Sequence, residues 1–551
     1  MKQLSSRLNL LLILVSMWSN FSIAQTTEDK PKLVVGIVID QMRYDYISRY
    51  WEKYSDGGFK RMIHNGFSTS NGYFNYAPTK TGPGHASIYT GTTPAYHGIV
   101  ANEFYSRDEN KEVYCAEDVT EKVIGSPITG EGMSPRRLMS TTWTDELKLA
   151  TNQQSKIISV SMKNRGAIFP AGHLADGAYW LDDVTGDWIT TSFYLNKLPD
   201  WVALLNKGKR RVDEIASQKW TTLLPIDEYT ESIADDNPYE KLFPGEKSPT
   251  FPHDLKKIMK SAKEEKYGYV KKTPYGNTLT TEFAIKAIEQ EKLGQHKVTD
   301  ALLISYSSTD KIGHMFAPAS IEVEDTYLRM DVELKNLFEY LDSSVGMENV
   351  VVFLTADHGG AHNPQYLKDL KLPSGFYDEK AILSKVEESL SAEFGEGKWI
   401  LYGGVSEIYL NRPLIKQKGL DLYSIEKKVA DIMIEYTCFR DVLLGEDLRN
   451  QEFDKGYKAL YSNSYNVRNS PDVIGVFAGN YFKEGKTKGT GHSTAFSYDT
   501  HVPIMMMGWK VPHKETDQKV YITDIAPTIC SLLKINVPSA CYYEPIEGIL
   551  K

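Results

Sequence analysis

The run Leu33-Val-Val-Gly-Ile-Val-Ile-Asp40 sets the reading of the whole chain. Short apolar, β-branched runs of the same kind recur at 156–160, 301–305, 349–354, 472–477 and 503–507, with helical stretches between them. Strands alternating with helices predict an α/β fold, a three-layer α/β/α sandwich around a mostly parallel central sheet. Asp40 follows the first run, Lys163 the second, Asp310 the third and Asp357 the fourth. Ligands of open α/β sheets bind at the carboxyl ends of the strands, so one sheet edge collects the candidate chemistry.

The rest of the chain bounds what that edge serves. With 41% hydrophobic and 25% charged residues, the composition is that of a folded protein and not of a disordered one. Residues 1–24 carry Lys2 and Arg7, an apolar run over 8–18 and Ser22-Ile-Ala24, which reads as a secretory signal peptide cut after Ala24. That run is too short for a bilayer of about 30 Å. The mature chain is therefore expected to be periplasmic or secreted, with 25–551 as one catalytic domain and no membrane span. Residues 1–24 hold two positive charges and no negative ones, so the formal charge of −9 becomes −11 without them. No basic face for nucleic acid is present, and an anionic substrate must be drawn by a local cationic pocket. Cys115, Cys438, Cys530 and Cys541 lack metal-ligand spacing; an oxidising compartment permits disulfides, with Cys530 and Cys541 favoured because they are near in sequence. Polar stretches at about 184–275 and 365–470 read as inserted cap or side subdomains, and the charge-alternating helix over 320–341 as a solvated face.

The strongest chemical signal is a series of carboxylates and imidazoles in the loops after strands: Asp40, Asp310-x-x-x-His314, Asp357-His358 and His492. Two zinc sites need about three protein ligands each, with a position left open. Asp40, Asp357 and His358 fill one, and Asp310, His314 and His492 the other. A second signal is Pro78-Thr-Lys-Thr81-Gly-Pro-Gly-His85, ahead of the helix-like 86–89 and of Gly98-Ile-Val-Ala-Asn102. A threonine hydroxyl at a helix N-terminus faces unpaired N–H groups and the positive dipole end, which hold a phosphoryl oxygen beside it. Coordinated to a metal, Thr81 becomes an alkoxide-like nucleophile near neutral pH. His85, His97 and His362 are assigned packing and hydrogen-bonding roles, since six ligands already fill both sites, while Lys80 remains a candidate to face substrate.

These motifs, with Asp310-Lys-Ile-Gly-His314, Thr355-Ala-Asp357-His358-Gly and Thr490-Gly-His492, resemble the nucleotide pyrophosphatase/phosphodiesterase branch of the alkaline phosphatase superfamily. The resemblance runs from Leu33 to Asp524-Ile-Ala-Pro-Thr-Ile and implies an alkaline-phosphatase-like fold. One further segment, Ser161-Met-Lys163-Asn-Arg165-Gly-Ala-Ile, resembles the Thr-nucleophile alkaline phosphatases of PafA type. In that group the matching Lys and Arg contact phosphoryl oxygens, and the Lys stands where Ser-type enzymes hold magnesium, which implies two zinc ions and no third metal. The resemblance implies hydrolysis of small phosphate monoesters through a phosphothreonine at Thr81, with Asn102, Lys163 and Arg165 on the remaining oxygens. A phosphodiesterase would share every ligand, but two fixed cations favour a dianionic end group. Export disfavours a phosphate-shuffling mutase, and the complete ligand set disfavours a non-catalytic binding module.

Overall fold

The computed structural model describes residues 29–126 and 130–550, so the expected signal peptide lies outside the described residues. At the centre, Val350–Thr355, Leu33–Ile39, Asp300–Tyr306, Ile157–Ser161 and Gly177–Leu181 lie side by side and parallel. Nearly every residue of these strands is buried, because helices cover both faces of the sheet. Register carries the consequence for function. Ile39 is level with Tyr306, Val38 with Thr355, and Ser305 with Ser161. Asp40, Asp310, Asp357 and Lys163 therefore leave the sheet along one edge, as the alternation of runs predicts.

Of the eleven strands in this sheet, only Ile504–Gly508, Trp188–Thr191 and Glu131–Met133 run against the rest. Trp188–Thr191 lies inside the first expected insertion, yet it extends the sheet beside Gly177–Leu181. The run at 472–477 departs from expectation. Its strand, Val473–Phe477, pairs antiparallel with Phe439–Leu444 outside the central sheet. Val473 finds cover on a local core of Ile382, Val386, Trp399, Ile425, Val429 and Met433, and Ile474 and Val476 on one of Leu443, Leu448, Tyr461 and Tyr465, these covering residues all within the second expected insertion.

The acidic helix also departs from expectation. Ile321–Ser344 is embedded, with Glu322, Glu324, Asp325 and Asp331 no more than 1% exposed. Asp331 accepts from the backbone N–H groups of Ser55 and Phe59 at 2.8 Å each, and Asp325 from Trp220 Nε1 at 2.7 Å and Tyr229 Oη at 2.6 Å. Lys53 reaches Glu324 at 2.5 Å. These carboxylates anchor segments distant in sequence, and a buried charge persists only when so satisfied. All four cysteines are free, so the expected Cys530–Cys541 bridge is not formed in this structure.

Candidate active site

The two sets of ligands predicted from spacing come together. Asp40, Asp357 and His358 each bring one ligand atom within 4.8 Å of the others, as do Asp310, His314 and His492. Asp310 and His314 lie one turn apart on Ser308–Phe316, which turns both to the same face. Each histidine spends Nδ1 on a backbone carbonyl at 2.9 Å: His358 on Gly359, His314 on Thr490 and His492 on Thr79. Nε2 is thereby left as the lone-pair nitrogen directed at the site. Burial, then the neighbouring His358 and His314, hold His492 well below the usual histidine range, and burial lowers His358. Both are thus neutral and ready to act as ligands.

The carboxylates fit a cation as well. Asp40 Oδ1 and Asp357 Oδ2 are buried without a hydrogen-bond partner. Burial and the adjacent Asp40 push Asp357 well above the usual carboxylate range, a repulsion that a cation between them would relieve. Orphaned oxygens, neutral imidazoles and a mixed N/O donor set match what a metal ion requires.

Thr81 is the first residue of the helix Thr81–Thr90, which starts five residues earlier than the helix-like 86–89 suggests. Its Oγ1 lies 3.5 Å from His358 Nε2, beside the Asp40/Asp357/His358 group. Gly84 lets the helix end approach so closely: a Cβ there would sit 2.4 Å from the carbonyl oxygen of Asp357. One expectation changes. The Gly82 N–H, read as open to a phosphoryl oxygen, donates to Asn102 Oδ1 at 2.8 Å. That bond orients Asn102 and leaves its amide nitrogen, which makes no hydrogen bond among the described residues, as the donor for a ligand.

Lys163 Nζ lies between the two groups, 2.5 Å from Asp40 Oδ2 and 2.6 Å from Asp310 Oδ2. Burial opposes its charge, but Asp310 and Asp40 outweigh burial and raise its pKa above the usual lysine value. Arg165, two residues on, donates to Tyr114 Oη at 3.1 Å, and that hydroxyl donates to Asn164 Oδ1 at 2.5 Å. Arg165 Nε is buried with no partner. Neither residue is a solvated surface cation. Lys80, adjacent to Thr81, is instead paired with Glu407 of the second expected insertion at 2.5 Å.

His85 bonds the Thr81 carbonyl and Ser305 Oγ, each at 2.9 Å, and burial lowers its pKa to about 4. His97 pairs with Ser87 Oγ at 2.9 Å, while His362 is half-buried, its enclosed Nδ1 without a partner. Two contributors escape the sequence. Gln41 has φ +62°, donates from Nε2 to Asp310 Oδ1 at 2.8 Å and from its backbone N–H to Asp357 Oδ1 at 3.1 Å. Its position just after a strand-ending Asp was the only available hint. Tyr114, which positions Arg165, sits in the short strand Lys111–Tyr114 and carries no motif.

An α/β/α sheet that presents one buried and one partly buried ligand triad, a helix-N-terminal threonine beside the first and two fixed cations defines a metal-dependent hydrolase of anionic groups. The family model for type I phosphodiesterase / nucleotide pyrophosphatase matches residues 34–501. An alkaline phosphatase PafA of Elizabethkingia meningoseptica is 41% identical over 523 residues, 95% of each chain. A protein of Myroides odoratus named a calcium-transporting ATPase is 43% identical over 526 residues, again 95% of each. The crystal structure of wild-type alkaline phosphatase PafA superposes with a TM-score of 0.90 at 41% identity, covering 95% of this chain and 99% of that one. The chain belongs to the type I phosphodiesterase / nucleotide pyrophosphatase family and, within it, to the PafA-type alkaline phosphatases, phosphoric monoester hydrolases. Among the described residues no helix is long and apolar enough to cross a membrane.

Proposed function

We propose that this enzyme is exported, holds two zinc ions and hydrolyses phosphate monoesters through a phosphothreonine at Thr81. Asp40, Asp357 and His358 would hold one ion and Asp310, His314 and His492 the other, with Thr81 completing the first set. Bound there, zinc would acidify the threonine hydroxyl and neutralise charge developing on the phosphoryl and leaving-group oxygens. Thr81 attacks phosphorus in line and takes the phosphoryl group, the alcohol departs, and water then releases inorganic phosphate. The Asn102 amide, the Lys163 ammonium and the Arg165 guanidinium hold the non-attacking oxygens, where charge shifts in the transition state. Helix Thr81–Thr90 adds its positive end.

The observation that carries this reading is the position of Lys163, buried between the two ligand groups and charged by both. A monoester presents more negative charge to such a cation than a diester does. The test is to chelate the metal-loaded enzyme exhaustively and restore it with zinc, following an aryl phosphate monoester and its methyl diester. Monoester turnover lost and recovered with about two zinc ions per chain supports the proposal. Full activity in metal-free protein, or diester turnover above monoester turnover, overturns it.

A further inference from the structure

The chain is acidic overall, yet the cations at the site do not stop at Lys163 and Arg165. Lys311 follows Asp310 on the helix Ser308–Phe316 and precedes His314 by three residues. It is partly buried, and among the described residues its ammonium makes no ion pair and no side-chain hydrogen bond. Lys163 and Arg165, both like charges, lie within its electrostatic reach. The two carboxylates in reach are already engaged: Asp310 with Lys163 and Gln41, and Asp183 with Lys271.

More lysines gather on the same flank. Lys241 Nζ donates to the His314 carbonyl at 2.7 Å, with Lys486 and Lys272 as its charged neighbours. Lys272 ends the segment Lys266–Lys272 that packs on the Ser308–Phe316 helix. Lys241 thus touches the backbone of His314 and Lys311 adjoins Asp310 on the same helix, whereas Thr81 touches His358 of the other group. Holding an ammonium out of water among like charges is costly unless an anion offsets it. The group farther from the nucleophile is where the leaving oxygen emerges in an in-line displacement.

Resting on the function proposed above, we infer that Lys311, backed by Lys241, Lys272 and Lys486, forms an anion subsite for the leaving group. The enzyme then favours monoesters whose alcohol carries a second anionic group, a phosphate or a carboxylate. Phenyl phosphate, para-carboxyphenyl phosphate and para-phenylene bisphosphate separate the two anions from a neutral reference. The readout is each kcat/KM divided by that for phenyl phosphate, which cancels any loss common to all substrates.

The wild-type ratio should exceed one and fall with ionic strength. Lys311→Gln should lower it about tenfold, the scale of one charge-assisted hydrogen bond, while Lys311→Arg retains it. Zinc content is measured in each variant. If Lys311→Gln loses metal, the double variant Lys272→Gln with Lys486→Gln carries the test and should lower the same ratio. A wild-type ratio of one or below, or a ratio unmoved in a metal-replete variant, overturns the subsite. Failure to turn over phenyl phosphate would instead count against the function proposed above.

Discussion

Lys163 Nζ lies 2.6 Å from Asp310 Oδ2 and makes a second short contact, 2.5 Å, to Asp40 Oδ2, so one ammonium ties a carboxylate of each ligand group to the other. Removing it takes from two buried carboxylates their shared cation and, on the proposed function, strips a positive charge from the phosphoryl group. Truncating one partner of a desolvated charged pair costs about 2–5 kcal/mol, roughly 30-fold to several-thousand-fold in rate. Lys163→Ala combined with Arg165→Ala should depress monoester kcat/KM on that scale. Diester hydrolysis, which gains less from those charges, should fall far less. Parallel kcat/KM series at fixed ionic strength and matched zinc content check this, and equal losses would remove these residues from the basis of the preference.

Thr81 begins its helix with Oγ1 beside His358. Thr81→Ser keeps the hydroxyl and should retain substantial activity. Thr81→Ala leaves water to attack from a poorer position and should lose orders of magnitude. Mass spectrometry of acid-quenched enzyme should find phosphate on the peptide containing Thr81; phosphate mapped elsewhere would reject the role.

Gln41 bonds Asp310 through its side chain and Asp357 through its backbone, bracing one ligand from each group. Partners that orient ligands in this way are typically worth 10–100-fold in metal affinity. Gln41→Ala should weaken zinc binding by about that factor in competition with a chromogenic chelator. Its backbone bond survives the substitution, so the fold should persist. Unchanged affinity would leave Gln41 a packing residue.

His253 is fully buried, with Glu246 at 3.0 Å on Nδ1 and Glu322 at 3.3 Å on Nε2. Burial opposes its charge, but the two carboxylates prevail and raise its pKa to about 9. A raised folded-state pKa makes this contribution fully present below the unfolded value near 6.5 and lost as pH rises through about 9. Glu322, raised from 4.5 to about 7 by burial, acts in the same direction over that lower window, because ionising it becomes costlier in the fold than in the unfolded chain. The Tm of the wild type should therefore fall across the His253 window, by a contribution of roughly 3 kcal/mol at most. Scanning calorimetry on His253→Gln should show a flatter fall; a curve parallel to wild type would rule out His253 as the source.

The sequence by itself determined four of the five central parallel strands, missing Gly177–Leu181, and the order of the candidate ligands and of Thr81. Apolar runs such as Leu33–Ile39 declare a buried strand locally, and carboxylates and imidazoles declare a metal by their chemistry, so Asp40, Asp310, His314, Asp357, His358 and His492 were legible without distances. Tertiary structure alone decided where remote groups meet. Strand register brings Lys163 onto Asp40 and Asp310, and Gln41 onto the last. Residues 53–59 and 220–253 convert the acidic face of Ile321–Ser344 from an apparent solvated surface into a buried anchor. Val473–Phe477 has the composition of a central strand but finds its partner in Phe439–Leu444, because an apolar run specifies cover and not which sheet supplies it. Asn102 takes the N–H that local reading gave to substrate. Period and residue type are properties of short segments, whereas the satisfaction of buried charges and donors depends on groups hundreds of residues apart, which only the packed sheet brings within hydrogen-bond distance.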